Sequence, residues 1–165
     1  MIRRVSLPVL VFVLLISSGV DALTATGFRG PGRQTDSKQV VLRGRAVCVE
    51  PSGRIVPDHD DCSVDTVKFL FHSKDGGTYA FVPEDALTAM FSDHRVRERE
   101  LQITAWERQK HQLELVGVQS LKNGKLYDLY YYCDICNITA YGPGPCPCCR
   151  RDLEFKETPA PAPEP

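Results

Sequence analysis

The chain carries none of the signatures that mark a reactive centre by spacing alone. It has no serine nucleophile elbow, no phosphate-cradling glycine loop and no His-Glu-x-x-His pair. Histidine is sparse and scattered: His59, His72, His94 and His111 never stand at helical or strand spacing with a second ligand. No residue is therefore assigned a catalytic role, and the chain reads as a non-enzyme. An excess of charge is missing as well, with a formal net charge of −1. Such a balance gives no general pull towards nucleic acid or anionic lipid. The apolar run Val5 to Ile16 falls short of the roughly 20 residues of a membrane span and is broken by Pro8.

That run belongs to a different signal. Arg3 and Arg4 precede it and small or polar residues follow it to Ala22, which is the pattern of a secretory signal peptide over residues 1–22, cleaved after Ala22. Export to the periplasm or beyond the cell is expected, with no membrane span left after cleavage. Cleavage removes Arg3, Arg4 and Asp21, which moves the net charge from −1 to about −2. No cysteine lies near the cleavage point, so a lipid anchor has no attachment site. Residues 23–38, rich in Gly, Thr, Ser and Arg, read as a flexible leader. Residues 158–165, Thr-Pro-Ala-Pro-Ala-Pro-Glu-Pro, read as an extended polyproline-type tail that joins no ladder.

About 120 residues remain, enough for one domain with a core and an appendage. Gln39 to Glu50 is rich in β-branched residues and predicts a long strand with a bend or bulge at Gly44. Val67 to His72 and Thr78 to Val82 predict a hairpin closed by the turn Lys74 to Gly77. Pro83, Glu84 and Asp85 suit the start of a short helix over Ala86 to Phe91, which Ser92 and Asp93 end. Glu100 to Trp106 and Gln112 to Gln119 alternate as a fourth and a fifth strand. Between helix and fourth strand, Arg95 to Arg99 alternates basic residues in the manner of a protected, exposed strand edge. The turn Lys122-Asn123-Gly124-Lys125 then leads into a sixth strand ending at Cys133. Three strands, a helix and two strands over residues 39–120 resemble the OB fold, a small five-stranded barrel. The expected class is mainly β with one short helix, the barrel being followed over residues 121–157 by a hairpin strand and a ribbon.

Seven cysteines are present. Cys133-Asp134-Ile135-Cys136 and Cys146-Pro147-Cys148-Cys149 are two Cys-x-x-Cys units nine residues apart. Two residues between thiolates let a tight turn aim both sulfurs at one ion, and two such turns make a closed tetrahedral site. Each turn needs a residue tolerant of positive φ after its second cysteine, which suits Asn137 and suits Arg150 poorly. The segment, with Pro147 in a Cys-Pro-x-Cys unit, resembles zinc ribbons and rubredoxin-like knuckles. The resemblance implies zinc on Cys133, Cys136, Cys146 and Cys149, with iron as the alternative that uses the same ligands. An oxidising compartment favours disulfides instead, yet a disulfide within Cys-x-x-Cys is a strained small ring more typical of redox catalysts. Asparagine at 137 excludes covalent haem attachment, which needs histidine there. Cys48 and Cys62 are expected to form a disulfide across the loop between the first two strands. Cys148, inside the second knuckle, is expected to point away from the ion and stays unassigned.

Smaller features have plain readings. The acidic run Asp58 to Asp61 suits a solvated loop, and Tyr127, Tyr130, Tyr131 and Tyr132, with Tyr141 nearby, suit packing of the ribbon against the barrel with hydroxyls at the rim. Asn137-Ile138-Thr139 is a glycosylation sequon placed inside a knuckle, where it is poorly accessible. From Leu121 to Cys149 the chain resembles uncharacterised exported bacterial proteins with a barrel followed by a cysteine ribbon, and no activity follows from that likeness. The function expected is an exported binding or interaction module with a structural metal site and a protein or small molecule as its partner. The alternatives are a rubredoxin-like electron-transfer or thiol redox protein, and a carrier of soft metal ions using Cys146, Cys148 and Cys149.

Overall fold

The computed structural model describes residues 37–63, 65–108 and 111–161. The signal peptide, nearly all of the leader and residues 162–165 of the tail lie outside the described residues. Eight strands run in chain order: β1 Lys38–Val49, β2 Lys68–Ser73, β3 Thr78–Phe81, β4 Leu101–Arg108, β5 Gln112–Lys122, β6 Lys125–Cys133, β7 Ile138–Ala140 and β8 Glu154–Pro159. A 3-10 helix, Ala86–Ser92, and one α-helical turn, α1 His94–Arg97, stand between β3 and β4.

The pairings close a ring. β1 pairs antiparallel with β2 through Gly44–Val49 and with β4 through Lys38–Gly44, so one strand serves two neighbours in succession. β2 continues to β3, β4 to β5, and the ring shuts through the parallel pair β3–β5, Ala80 opposite Gln112 and Phe81 opposite Leu113. This is the OB-like barrel in which two ends of a meander meet side by side. Gly44 marks the point where β1 changes partners. A Cβ there would stand 2.0 Å from the His72 carbonyl oxygen, so close backbone approach requires glycine. Of the bend or bulge expected at Gly44, the bulge is not there, since the β1 register runs unbroken through that residue. It lies in β5 instead: Thr104 faces Gly117 and Ala105 faces Leu115, leaving Val116 as the extra residue. The insertion moves the inward phase from Leu113 and Leu115 to Val118 and Ser120, and leaves Val116 half exposed.

Local sequence explains the connections. Asn123 (φ 50°) and Gly124 (φ 74°) make the tight β5–β6 turn from two positive-φ residues. Asp85 caps the 3-10 helix by accepting the Leu87 N–H at 3.1 Å through Oδ1, while its Oδ2 accepts the Leu115 N–H of β5 at 2.7 Å. Met90 and Phe91 then fill the barrel, where Phe91 meets Phe81 and Phe69 at ring-centroid distances of 5.2 and 6.0 Å.

Arg95 to Arg99 is no strand edge. Asp93 caps α1 by accepting the Arg95 N–H at 2.8 Å, and helical winding carries Arg97 inward, where it is fully buried. Its guanidinium donates to the carbonyls of Pro57 and Asp60, which pins the acidic loop to the barrel. Alternation in the sequence resembled a strand because Val96 sits between two arginines. The capping carboxylate decides otherwise.

β6 carries the one continuous sheet beyond the barrel and is the centre of its smaller, outer part, called the small sheet below. Its first half pairs with β5 and its last three residues with β7 on the same edge, while β8 covers Tyr127–Tyr132 on the other. The tail is therefore corrected: Thr158 faces Asp128 and Pro159 faces Tyr127 in a ladder, and Ala160 N–H donates to Leu126 O at 3.0 Å. Proline is accepted because β8 is paired on one side only, so no outer ladder bond is lost. One core serves both parts of the sheet, since Leu129 and Tyr131 of β6 join Phe71, Phe91, Leu101, Ile103 and Leu113 of the barrel. β8 is locked by Glu157, whose carboxylate accepts from Arg99 at 3.1 and 3.2 Å and from Ser120 and Lys122, while Arg95 and Arg99 stand over the Phe155 ring at 4.8 and 5.0 Å.

Two outcomes follow from these locks. Burial alone would raise the Glu157 carboxyl, but hydrogen bonds from Arg99, Lys122 and Ser120 outweigh it and bring its pKa to about 2. A folded value below the unfolded one, about 4.3, gives stability that is whole above pH of about 4.3 and lost as pH falls towards 2. Acid unfolding followed by circular dichroism should show this slope, and Glu157→Gln should flatten it. The Cys48 and Cys62 sulfurs meet at bonding distance, with Cα atoms 6.6 Å apart and 14 residues of separation. Closing such a loop is worth about 3 kcal/mol, so the Cys48→Ala/Cys62→Ala double variant should lose that much in urea denaturation.

Candidate metal centre

The four cysteines of the two Cys-x-x-Cys units come together from two different parts of the small sheet. Cys133 is the last residue of β6 and faces Ile138 across the β6–β7 ladder. Asn137, at φ 54°, supplies the left-handed residue that turns the chain from Cys136 back into β7. The second knuckle is built the same way before β8: Cys146 N–H donates to Arg151 O at 2.7 Å, Arg150 N–H donates to Cys146 O at 3.0 Å, and Arg150 sits at φ 63°. Pairing of Glu154 with Tyr132 sets this knuckle beside Cys133.

The sulfurs of Cys133, Cys136, Cys146 and Cys149 all lie within 4.8 Å of one another, and Cys133 and Cys149 approach to 3.5 Å. A tetrahedron with metal–sulfur bonds of about 2.3 Å has sulfur–sulfur edges of about 3.8 Å. A disulfide needs about 2.05 Å. The spacing therefore suits four ligands around one ion, and the donor set is all sulfur.

Backbone amides complete the fit. Cys133 Sγ receives the N–H groups of Cys136 and Ile135, and Cys146 Sγ those of Cys149 and Cys148. Donors aimed at sulfur favour the thiolate, which is the form that binds metal. At Cys146 the Cys149 and Cys148 amides, with sulfur neighbours, outweigh burial and lower the thiol to about 7. At Cys133 the Cys136 amide acts the same way, but burial and hydrogen bonding with the Cys149 and Cys146 side chains leave the thiol above its ordinary value. Cys136 is pushed up most by the side chain of Cys148, then by burial. Access is graded: Cys133 and Cys146 are buried, Cys136 and Cys149 are half exposed, and Cys148 is exposed. Cys148 is exposed and lies outside the four-sulfur set.

Two features were not legible beforehand. Asp61, Asp93 and His94 bring ligand-type atoms within 4.8 Å of one another, although 32 residues separate the first from the second. Their oxygens are already engaged. Asp61 Oδ1 meets the His94 N–H and Nδ1 at 2.8 Å each, and Asp93 takes the Arg95 guanidinium and accepts the Tyr131 hydroxyl at 2.8 Å. The trio is an ion-pair network balanced by Arg95, so it is set aside as a cation site. The other feature is a groove of about 840 Å³ between the outer edge of β5 and the small sheet, lined by Leu87, Val116, Tyr130, Tyr132 and Tyr141 among others. Of the tyrosine run only Tyr131 is fully buried, while Tyr130 and Tyr132 line this groove half exposed and Tyr141 stands 54% exposed.

Positive φ costs a residue with a Cβ about 1 kcal/mol, so Arg150→Gly should stabilise the chain by up to that amount and Arg150→Val should destabilise it, as read by thermal unfolding of the purified protein. Set against protein-family models, curated proteins and solved structures, the chain matches none.

Proposed function

We propose that this protein is an exported, non-enzymatic binding module in which zinc, held by Cys133, Cys136, Cys146 and Cys149, fixes the small sheet against an OB-like barrel. The convergence of four sulfurs within 4.8 Å, with amide donors on two of them, carries this reading. Zinc has no geometric demand beyond the tetrahedron and supplies a closed site with cross-linking strength and no open position for substrate. The segment from Asp134 to Leu153 contains only three residues of strand and no fully buried aliphatic side chain. Metal binding is therefore the largest folding contribution within its reach.

Export is supported by the signal-like start of the chain and by the Cys48–Cys62 pair, which suits an oxidising compartment. Among the described residues no helix is long and apolar enough to cross a membrane. The partner surface best supported is the tyrosine-lined groove, where half-exposed aromatic rings offer rigid contact area and hydroxyls offer polar contacts. Its ionic lining residues, Asp128 and Lys156, balance one another, which favours an uncharged partner surface over a nucleic-acid backbone.

Elemental analysis of the purified mature protein tests the metal directly. One zinc per chain is expected, whereas a red protein containing iron, or a folded protein without metal, would overturn the reading. Cys133→Ser should lose the metal. Because Leu129 and Tyr131 of the same strand lie in the shared core, it should also lower the unfolding midpoint of the whole chain, by denaturation monitored at Trp106, which lies in barrel strand β4.

A further inference from the structure

We propose that the tyrosine-lined groove is a binding site for a neutral glycan chain. The proposal rests on the reading of this groove as the partner surface of a binding module and is independent of the metal. Of the six tyrosines, three have their rings answered within the protein: Tyr79 meets His111, Tyr127 lies under the Lys122 ammonium and Tyr131 meets Phe155. The other three, Tyr130, Tyr132 and Tyr141, have no aromatic or cationic partner among the described residues. All three line the groove. Strand geometry explains the convergence, because residues two apart share a face, so Tyr130 and Tyr132 stand on the side of β6 opposite the buried Tyr131.

Polar groups surround these rings. Thr139 faces Tyr132, Lys156 faces Tyr130 and Thr158 faces Asp128 across the ladders of the small sheet. Gln119 Nε2 donates to Asp128 Oδ1 at 2.8 Å, which leaves Oδ2 for a ligand. The Tyr132 hydroxyl donates to Asn137, while those of Tyr130 and Tyr141 make no hydrogen bond among the described residues. Met90, Val118 and Leu129 line the groove from the core side, so its shape is held by the packing of the whole molecule. Its volume of about 840 Å³ lies within the roughly 300–1,000 Å³ of ligand sites.

A sugar ring answers both halves of this lining. Its C–H groups suit the negative face of a tyrosine ring, and each hydroxyl can donate to Asp128 or accept from a tyrosine, threonine or lysine. Other occupants leave something unmet. A proline-rich peptide also stacks on tyrosine, but proline has no N–H to offer Asp128. A peptide added as a strand finds the β5 edge partly taken, since Leu113 O accepts the Val82 N–H and the Leu115 N–H goes to Asp85. Nucleic acid needs free positive charge, and Lys156 is already paired with Glu154 at 2.8 Å.

Isothermal titration calorimetry of the purified mature protein with cellohexaose, chitohexaose and maltohexaose tests the proposal, with a peptide of residues 159–165 representing the competing class. Saturable binding of at least one of these sugars is expected. Tyr141→Ala, a change at a mostly exposed side chain, and Tyr130→Ala should each weaken it about three- to tenfold. Tyr127→Ala, which removes a ring outside the groove, should leave it unchanged. No saturable binding of any of the three sugars at millimolar concentration, or binding that Tyr141→Ala and Tyr130→Ala leave unaltered, would overturn the proposal. Binding of the peptide alone would overturn the glycan assignment while keeping the groove as the partner surface. Elemental analysis of the same sample scores the metal separately, so a zinc-free protein that binds sugar through Tyr141 refutes the zinc reading and leaves this one standing.

Discussion

The hydrogen bond from the Tyr131 hydroxyl to Asp93 Oδ2 joins the two halves of this structure. Asp93 is 4% exposed and would be expensive to bury as an anion without partners. Burial raises its carboxyl, and hydrogen bonds from Arg95 and Tyr131 more than reverse that, so it stays ionised below the ordinary carboxylate range. The same carboxylate caps α1, holds Arg95 and anchors the central strand of the small sheet. Tyr131 is correspondingly held protonated, its hydroxyl pushed up by burial and then by Asp93. Arg95, fixed on Asp93, in turn covers the Phe155 ring of β8. A barrel helix, the strand that leaves the barrel and the last strand of the chain are thus tied through one anion.

This arrangement sets the mechanical position of the cysteine cluster. Cys133 lies two residues beyond Tyr131 on a strand whose core side is anchored at Asp93, and Cys146 is brought to it by β8, which Glu157 and Phe155 fasten to the barrel. The two buried sulfurs belong to the first cysteine of each knuckle, and these are the ones that receive paired amide donors. The second cysteine of each knuckle faces outward. The cluster thus has a buried inner half, Cys133 and Cys146, and a half-exposed outer half, Cys136 and Cys149.

The groove beside the cluster has a related origin. β5 pairs with β3 at one end and with β6 at the other, and a single strand edge cannot follow both when they diverge. The Val116 bulge and the amide bond to Asp85 manage the interval between them. Tyrosines of β6 and Tyr141 after β7 form the opposite wall, so the groove exists because the barrel and the small sheet share a strand.

Much of this was legible in the sequence because its causes are local. Alternation places Leu101, Ile103 and Ala105 inside, Asn123-Gly124 demands a tight turn, and two-residue spacing aims each cysteine pair at one point. Asn137 and Arg150 both take the left-handed conformation that the knuckles require, the second in spite of its side chain. What the sequence could not express were contacts made across long separations. Asp93 overrides the alternation of Arg95 to Arg99 by capping a helix, β6 recruits residues up to Pro159 into a ladder that a proline-rich tail does not announce, and the β5 phase shift depends on what Ile103 and Ala105 face. The set of four clustered cysteines was therefore determined by spacing along the chain. The placing of the whole cluster on the barrel was decided by tertiary structure, because only folding brings two knuckles and one buried carboxylate to the same strand.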